Sequence, residues 1–174
     1  LMCSAENDLD RQLRYVETLK DHGVQGILLT PAVVEDHLSN QTTITALEQS
    51  GVPFVLVERD VEGIAADCVL ADHFRAGYIG TEHLISLGHA RIAFVENPHS
   101  PSIVDVGRGY RAAFDSAEFT HVPELTFRRS ELAERMRSVL DHGATALLAH
   151  SDFAAMEALF WCSQHDVQVP EQMA

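Results

Sequence analysis

Short apolar runs alternate along the chain with segments whose apolar residues recur at helical spacing, and this alternation constrains the fold more than any other feature. An uninterrupted apolar run is typical of a strand buried on both faces of a parallel sheet. Runs of this kind predict strands at residues 1–3, 26–30, 52–57, 68–71, 92–95 and 146–149. Strands that alternate with helices favour an α/β fold with a doubly wound parallel sheet.

The segments between these runs carry helix signals. Asp8 is a good N-cap, and Gly23 stands where a glycine in the left-handed conformation would end the same helix. Further helices are predicted where apolar residues recur at helical spacing, in segments 44–47, 74–85, 110–117, 132–140 and 153–160.

Polar residues follow several of the predicted strands. In open parallel sheets, ligands bind beyond the carboxyl ends of the strands. The residues at these positions are Thr30, Glu58 to Asp60, Asp72, His73, Glu96 to Ser102, Ser151 and Asp152. Because polar residues end most strands in any α/β protein, this set alone leaves a ligand site and ordinary strand ends equally open.

The charge of the chain argues against binding to DNA, and its apolar runs argue against a membrane span. Lys and Arg number 12 and Asp and Glu 26, which gives a net charge of −14. Since the largest basic cluster is the pair Arg128 and Arg129, we expect these residues alone not to bind DNA. No apolar run approaches the ~18 residues that span a bilayer, and no secretory signal pattern opens the chain, so no membrane association is expected.

Motifs for the common enzyme chemistries are absent from the sequence. It has no glycine-rich phosphate loop, no nucleophile elbow and no metalloprotease motif. The cysteines Cys3, Cys68 and Cys162 are far apart and form no Cys-x-x-Cys pair, which disfavours a redox or zinc site. We therefore expect no enzyme activity, no metal and no cofactor.

One stretch carries a family resemblance. Residues 71–77 lead into 83–95, where Leu87-Gly88-His89 is followed by Arg91-Ile92, and this pattern resembles a signature of the lactose/galactose-repressor family of bacterial transcription regulators. Other segments agree with the family in order and spacing, namely residues 24–31, 52–59, 150–156 and 169–170.

The resemblance implies a periplasmic-binding-protein-like core with two lobes. Residues 1–71 would form the N-terminal lobe, which would lack its first strand. Residues 72–174 would form the C-terminal lobe, which would be incomplete at its end. The chain is therefore expected to be a fragment of the full core.

The resemblance also implies a site for a small effector between the lobes. Glu58 and Arg59 would hold the effector from the N-terminal lobe, and Asp152 from the C-terminal lobe together with the loop 97–102, which contains Ser100 and Ser102. Asp72, at the first crossover, would fix the hinge. Ser151 or Asp152 is also suited to cap the helix that follows. Where the family usually has an effector-binding Arg, this chain has Val106.

The expected function is that of the effector-sensing and dimerisation core of a cytoplasmic transcription regulator. It would bind a sugar or related metabolite and switch operator binding by a helix-turn-helix that is not in this chain. It would form a homodimer, for which apolar residues on outer helices, such as Leu38 or Tyr78, need cover. A transport or chemotaxis sugar-binding protein of the same fold is the alternative.

Overall fold

Two separate parallel sheets, each of three strands, organise the computed structural model. The structure describes residues 1–32, 38–61, 63–96, 101–117 and 125–174. These residues form two compact units, Leu1–Ala71 and Asp72–Ala174. All strand pairs within both sheets are parallel, which confirms the predicted α/β class.

The first unit has its sheet in the order β1-β2-β3. The strands are β1 (Ile27–Leu29), β2 (Phe54–Val57) and β3 (Cys68–Val69), and the helices are α1 (Leu9–Asp21) and α2 (Leu38–Ser50). The helices and the sheet bury one apolar cluster, which consists of Val16, Ile27, Ile44, Leu47, Leu56 and Val61.

Helix α1 begins and ends where the sequence predicts. The Asp8 carboxylate accepts a hydrogen bond from the Arg11 backbone N–H at 2.8 Å, which satisfies one of the free donors of the first turn. Gly23 follows the helix with a φ of +65°, a conformation that glycine adopts at little cost.

One predicted strand of the first unit is absent, and another is present but is not buried on both faces. Residues 1–3 form no strand, and Leu1 and Met2 are almost fully exposed. This segment and β1 both line a cavity of about 530 Å³, and no strand among the described residues pairs with residues 1–3. Strand β1 is also not buried on both faces, since Leu28 is 78% exposed. The apolar cluster therefore covers only one face of β1.

The second unit has its sheet in the order β5-β4-β6. Its elements are α3 (His73–Ser86), β4 (Ile92–Glu96), α4 (Pro101–Ser116), β5 (Thr126–Arg128), α5 (Leu132–Asp141), β6 (Ala146–Ala149) and α6 (Asp152–Gln164). A single 3-10 turn, Arg129–Glu131, joins β5 to α5.

Strand β4 is buried on both faces, as its apolar run predicts. Ile92 and Phe94 face a cluster formed with α4, whereas Ala93 and Val95 face a cluster formed with α5 and α6. Because side chains alternate along a strand, one continuous apolar run supplies both clusters. The doubly wound arrangement is therefore confirmed in this unit.

Strand β5 was not predicted from the sequence. It has three residues, and Phe127 is the only apolar one, between Thr126 and Arg128. The strand is fixed by parallel pairing with β4 and by burial of Phe127, which is 2% exposed. Tertiary pairing thus outweighs a weak local pattern.

Helices α3 and α4 approach each other through two glycines. A Cβ added at Gly77 would lie 2.0 Å from the Val106 carbonyl oxygen, and one added at Gly109 would lie 2.0 Å from the Phe74 carbonyl oxygen. Since the neighbouring atoms belong to the backbone, no rotamer change can make room. The crossing of these helices therefore requires glycine at both positions.

Candidate functional site

The carboxyl ends of β1 and β2 bring together three of the residues singled out in the sequence. Thr30 follows β1, and Glu58 and Arg59 follow β2, which is the paired neighbour of β1. The Arg59 Nη1 donates a hydrogen bond to the Pro31 carbonyl at 2.8 Å. This bond ties the segment after β2 to the segment after β1, so Arg59 is held at the sheet edge where ligands bind in such folds.

Glu58 has a backbone conformation that is uncommon for its residue type. Its φ is +68°, in the left-handed region, and its N–H donates to the Val69 carbonyl at 2.9 Å. A non-glycine residue in this region costs free energy and persists where surrounding structure holds it. The turn directs the chain from β2 into Arg59 and leaves Glu58 exposed.

Arg59 also lines the cavity between the first residues of the chain and β1. Thr30 and Gln12 are among its other lining residues. The Nε of Arg59 is buried and has no hydrogen-bond partner among the described residues. A guanidinium with one unsatisfied buried donor beside a cavity is suited to binding an oxygen-rich group.

A buried hydrogen-bond network supports the segment that follows β1. Gln12 of α1 accepts a hydrogen bond from the Ala32 N–H at 2.8 Å and donates to Asn40 Oδ1 at 3.1 Å and Thr43 Oγ1 at 3.0 Å. Asn40 in turn donates to the Ala32 carbonyl at 2.9 Å. Both polar groups of Ala32 are thereby satisfied by side chains, and α1, α2 and the end of β1 are joined.

Replacing Gln12 with leucine should destabilise the first unit by about 3 kcal/mol. The substitution leaves the buried Ala32 N–H without its acceptor and removes the donor to Asn40 and Thr43, and each unsatisfied buried group costs ~1–3 kcal/mol. Hydrogen exchange of the first unit, together with urea unfolding followed by circular dichroism, measures the effect. Gln49→Leu makes the same change at an exposed position of α2 and should leave stability within ~0.5 kcal/mol. Equal effects of the two substitutions would contradict this role of the network.

The carboxyl ends of the second sheet gather a different set of polar groups. Glu96 ends β4, Arg128 ends β5, and His150 follows β6. The His150 Nδ1 lies 2.8 Å from the Val95 carbonyl oxygen, which joins the end of β6 to β4. His150 and Arg128 were not identified as candidates in the sequence, the latter because β5 was missed.

Asp152 is not the N-cap of α6. That role belongs to Ser151, whose hydroxyl accepts a hydrogen bond from the Ala154 N–H at 3.3 Å. Asp152 is the first helical residue, is exposed, and accepts a hydrogen bond from the Phe153 N–H at 2.9 Å. Of the two capping alternatives left open by the sequence, the structure therefore selects Ser151, so the Asp152 carboxylate is not needed as a cap.

Two further predicted site residues, Asp72 and Ser102, lie at helix starts. Asp72 is the N-cap of α3, where its carboxylate accepts from the Arg75 N–H at 2.7 Å. Ser102 was predicted to lie in a loop, but it belongs to the first turn of α4. Ser100 lies outside the described residues. Val106 is buried in the cluster beneath α4, so it contributes packing.

The sequence contained one signal for the buried network that was not used. Gln12 follows Leu9 by three residues and precedes Val16 by four, so helical spacing places it on the apolar face of α1. Gln12 and Val16 are the buried residues of that helix. A polar residue on an apolar helix face predicts a buried hydrogen-bond partner.

Two kinds of feature are absent from the part of the chain that the structure describes. There is no group of three or more His, Cys, Asp or Glu side chains that could hold a metal ion. None of the helices there has the length and the apolar character that crossing a bilayer requires.

Comparison with known proteins places the whole chain in one family. Residues 2–173 match the family of periplasmic binding proteins and sugar binding domains of LacI family. Among curated proteins, the transcriptional regulator DegA of Bacillus subtilis is 26% identical over 180 residues, which cover 100% of this chain and 53% of DegA. The chain thus spans about half the length of the curated relatives it matches.

Solved structures of regulators have the same fold. The complex of the transcriptional regulator CelR with cellobiose is 27% identical, with a TM-score of 0.74 over 95% of this chain and 52% of CelR. A LacI family regulator from Enterococcus faecium with bound ribose is 25% identical, with a TM-score of 0.71 over 93% of this chain and 61% of that one. The chain therefore belongs to the family of periplasmic binding proteins and LacI-family sugar-binding domains.

Proposed function

We propose that this chain is the effector-binding core of a bacterial transcription regulator. The match of residues 2–173 to the sugar-binding domain family carries the proposal, and the relatives named above are transcription regulators. Operator binding is assigned to a helix-turn-helix outside these residues, since a chain with a net charge of −14 repels DNA phosphate. Such a regulator acts in the cytoplasm.

The proposed effector is a sugar or a related polyhydroxylated metabolite. CelR binds cellobiose and the Enterococcus faecium regulator binds ribose, so both ligands are rich in hydroxyl groups. Carboxylates accept hydrogen bonds from hydroxyls, and guanidinium groups donate to hydroxyl oxygens. Glu58 and Arg59 of the first unit supply both chemistries, and Asp152, Ser100 and Ser102 of the second unit are proposed to complete the site.

Effector binding is proposed to act by shifting the arrangement of the two lobes. A ligand that contacts both lobes stabilises the closed arrangement by its difference in affinity for the two states. Asp72 is assigned to the hinge because it is the first residue of the second unit and its side chain anchors the start of α3. A coupling of about 1–3 kcal/mol would change operator affinity by one to two orders of magnitude.

A ligand screen tests the proposal directly. Thermal unfolding of the chain is followed with pentoses, hexoses, disaccharides and nucleobases, and each hit is titrated by calorimetry. We expect at least one sugar to raise the melting temperature and to bind with one-to-one stoichiometry, because a ligand that binds only the folded state stabilises it. If only nucleobases stabilise the chain, the effector is a nucleobase and not a sugar. If no compound of any class stabilises it, the proposed function is contradicted.

Asp152→Asn should weaken binding of the effector found in this screen by about 1.5–3 kcal/mol, which is roughly 10- to 150-fold. The expected cause is loss of a charge-assisted hydrogen bond to a ligand hydroxyl, and stability should change little because Ser151 caps α6. Calorimetric titration measures the loss. Asp10→Asn is the matched control, since Asp10 is likewise an acidic residue in the first turn of a helix. Unchanged affinity in Asp152→Asn would show that the Asp152 carboxylate does not bind the effector.

The regulator is further proposed to be a homodimer. Of the two residues considered in the sequence, Tyr78 is half-buried against Phe74 and Arg75, and the Leu38 side chain lies outside the described residues. Further exposed apolar side chains lie on α6, among them Phe153 and Phe160.

A further inference from the structure

The His150 imidazole lies at the carboxyl end of β6, directly before Ser151 and Asp152. The side chain is half-buried, and its Nδ1 lies 2.8 Å from the Val95 carbonyl oxygen of β4. Since β4 and β6 are paired neighbours, this hydrogen bond fixes the ring at the edge of the sheet where ligands bind in such folds. The ring is therefore oriented before any ligand arrives.

The hydrogen bond to Val95 decides which nitrogen of the ring carries the proton. A carbonyl oxygen can only accept, so the His150 Nδ1 must be the donor. In the neutral imidazole the other nitrogen, Nε2, then has no proton and offers a lone pair. No group among the described residues donates a hydrogen bond to this nitrogen. The second sheet thus presents a neutral acceptor at its carboxyl edge.

The charged groups closest to His150 are paired with each other. Arg129, just after β5, donates to the Glu157 carboxylate of α6 through two hydrogen bonds of 2.9 and 2.5 Å. The hydrogen bonding from Arg129 and the charges of Arg129 and His150 lower the pKa of Glu157, so this carboxylate is ionised. An ionised carboxylate has no proton to donate, so Glu157 cannot satisfy the His150 Nε2. The donor has to come from a bound molecule or from solvent.

A neutral acceptor that is fixed in place distinguishes between similar sugars. Asp152, two residues further along the chain, offers a charged acceptor, and His150 offers a neutral one. A site that is built to hydrogen-bond a hydroxyl rejects the analogue that lacks it, because a polar atom of the site is then left unpaired. Two acceptors at one sheet edge can therefore select for hydroxyls at two positions of a sugar ring.

We infer that His150 is a specificity-determining residue, whose Nε2 accepts a hydrogen bond from one hydroxyl of a polyhydroxylated effector. This inference rests on the proposed effector-binding function and adds a residue to the proposed site. Because the bond to Val95 already fixes the ring, little further side-chain freedom is lost on binding. The ligand that fits is a sugar with a hydroxyl at the contacted position, and its deoxy derivative fits less well.

The protonation of the ring is tested first, without a ligand. Long-range proton–nitrogen NMR of the labelled chain is recorded at about pH 8.5, where imidazoles are neutral. The proton of His150 should be fixed on Nδ1, and His150→Gln identifies the signals by their loss. His83 is the control, since its ring is exposed and has no hydrogen bond among the described residues, and it should exchange between both tautomers. A proton fixed on the His150 Nε2 would overturn the inference, whether or not a sugar binds.

Discrimination between sugars is tested second, by calorimetric titration. The probes are ribose, glucose and cellobiose, each with its monodeoxy derivatives. For a sugar that binds, His150→Leu should weaken binding by roughly 10- to 100-fold, and one deoxy derivative should bind the native chain more weakly by a similar factor. That derivative should bind His150→Leu as tightly as the parent sugar does, because the same hydrogen bond is removed from either side. His150→Gln keeps an acceptor and should recover part of the affinity.

His142 provides a matched control for the substitution. Its Nδ1 makes the same kind of bond, to the Ser138 carbonyl at 2.7 Å, but it follows α5 and precedes β6, at the opposite end of the sheet. His142→Leu should leave the affinity for every probe unchanged. Thermal unfolding checks that each variant is folded.

The outcomes separate this inference from the proposed function. If His150→Leu weakens binding of the parent sugar and of all its deoxy derivatives by the same factor, His150 only supports the sheet edge and the contact is rejected. Unchanged binding in His150→Leu rejects the contact as well, while the effector site stands. A chain that binds none of the sugars rejects the proposed effector class together with the contact.

Discussion

Replacing Gly77 with alanine should destabilise the second unit by about 3 kcal/mol or more. The added Cβ would lie 2.0 Å from the Val106 carbonyl oxygen and 2.8 Å from its carbon, so α3 and α4 would have to move apart by about 1 Å. That movement loosens contacts along both helices, including those of Tyr110 and Phe114 with β4. Urea unfolding followed by the fluorescence of Trp161, the single tryptophan, reports on this unit.

The neighbouring Gly80 is the control for this prediction. A Cβ at Gly80 would meet the Leu148 Cδ1 at 3.1 Å, which is the end of a flexible side chain. Alanine also stabilises a helix by ~1 kcal/mol relative to glycine, so Gly80→Ala should be close to neutral. If Gly77→Ala and Gly80→Ala were equally stable, the close approach of α3 and α4 at Gly77 would be wrong.

Phe94→Ala should cost about 3–5 kcal/mol. Phe94 is fully buried in β4, and its ring stacks on Tyr110 with centroids 5.0 Å apart. The Tyr110 ring also meets the Phe114 ring at 5.1 Å, and its hydroxyl donates to the Ile92 carbonyl at 2.7 Å. Burial raises the pKa of Tyr110, so its hydroxyl remains protonated and continues to donate. Loss of the Phe94 ring leaves a cavity that this hydrogen-bonded array cannot readily fill.

The same truncation at an exposed site separates burial from side-chain size. Phe153→Ala, at a position that is 63% exposed, should change the free energy of unfolding by less than ~0.5 kcal/mol. The measurement is made at a submicromolar protein concentration, so that self-association does not contribute to it. Similar losses at Phe94 and Phe153 would show that the aromatic cluster does not stabilise the unit as described.

The local signals in the sequence were sufficient for the helices and for the buried strands. Asp8 marks the start of α1 and Gly23 marks its end. The uninterrupted apolar run that forms β4 supplies side chains to both faces of its sheet. These features are local, because a cap or an apolar run acts on its own residues. The strand predicted at residues 1–3 is absent and β5 was not predicted, because a strand depends on its neighbours. No described strand pairs with residues 1–3, whereas β5 is stabilised by β4 despite its weak pattern.

The candidate site was predictable in part for the same reason. Carboxyl ends of strands are found from the strands themselves, which identified Glu58, Arg59 and Asp152 as candidates. The positive φ of Glu58, the Arg59 bond to the Pro31 carbonyl and the Gln12 network arise from contacts between segments far apart in sequence. The exposure of Phe153, Met156, Leu159 and Phe160 on α6 was likewise not predictable. Their pattern is typical of a buried helix face, and their exposure follows only from the packing of the opposite side of the helix.

The edge of β1 opposite β2 has a practical consequence for handling this protein. Among the described residues β1 pairs only with β2, and its Leu28 is 78% exposed. An open, apolar strand edge accepts any extended chain, so concentrated samples should slowly form β-rich aggregates that thioflavin dyes detect. Leu28→Lys would place a charge on the exposed face of β1, beside that edge, and should lengthen the time before turbidity develops. The time for which a concentrated sample stays clear is therefore expected to depend on one short strand.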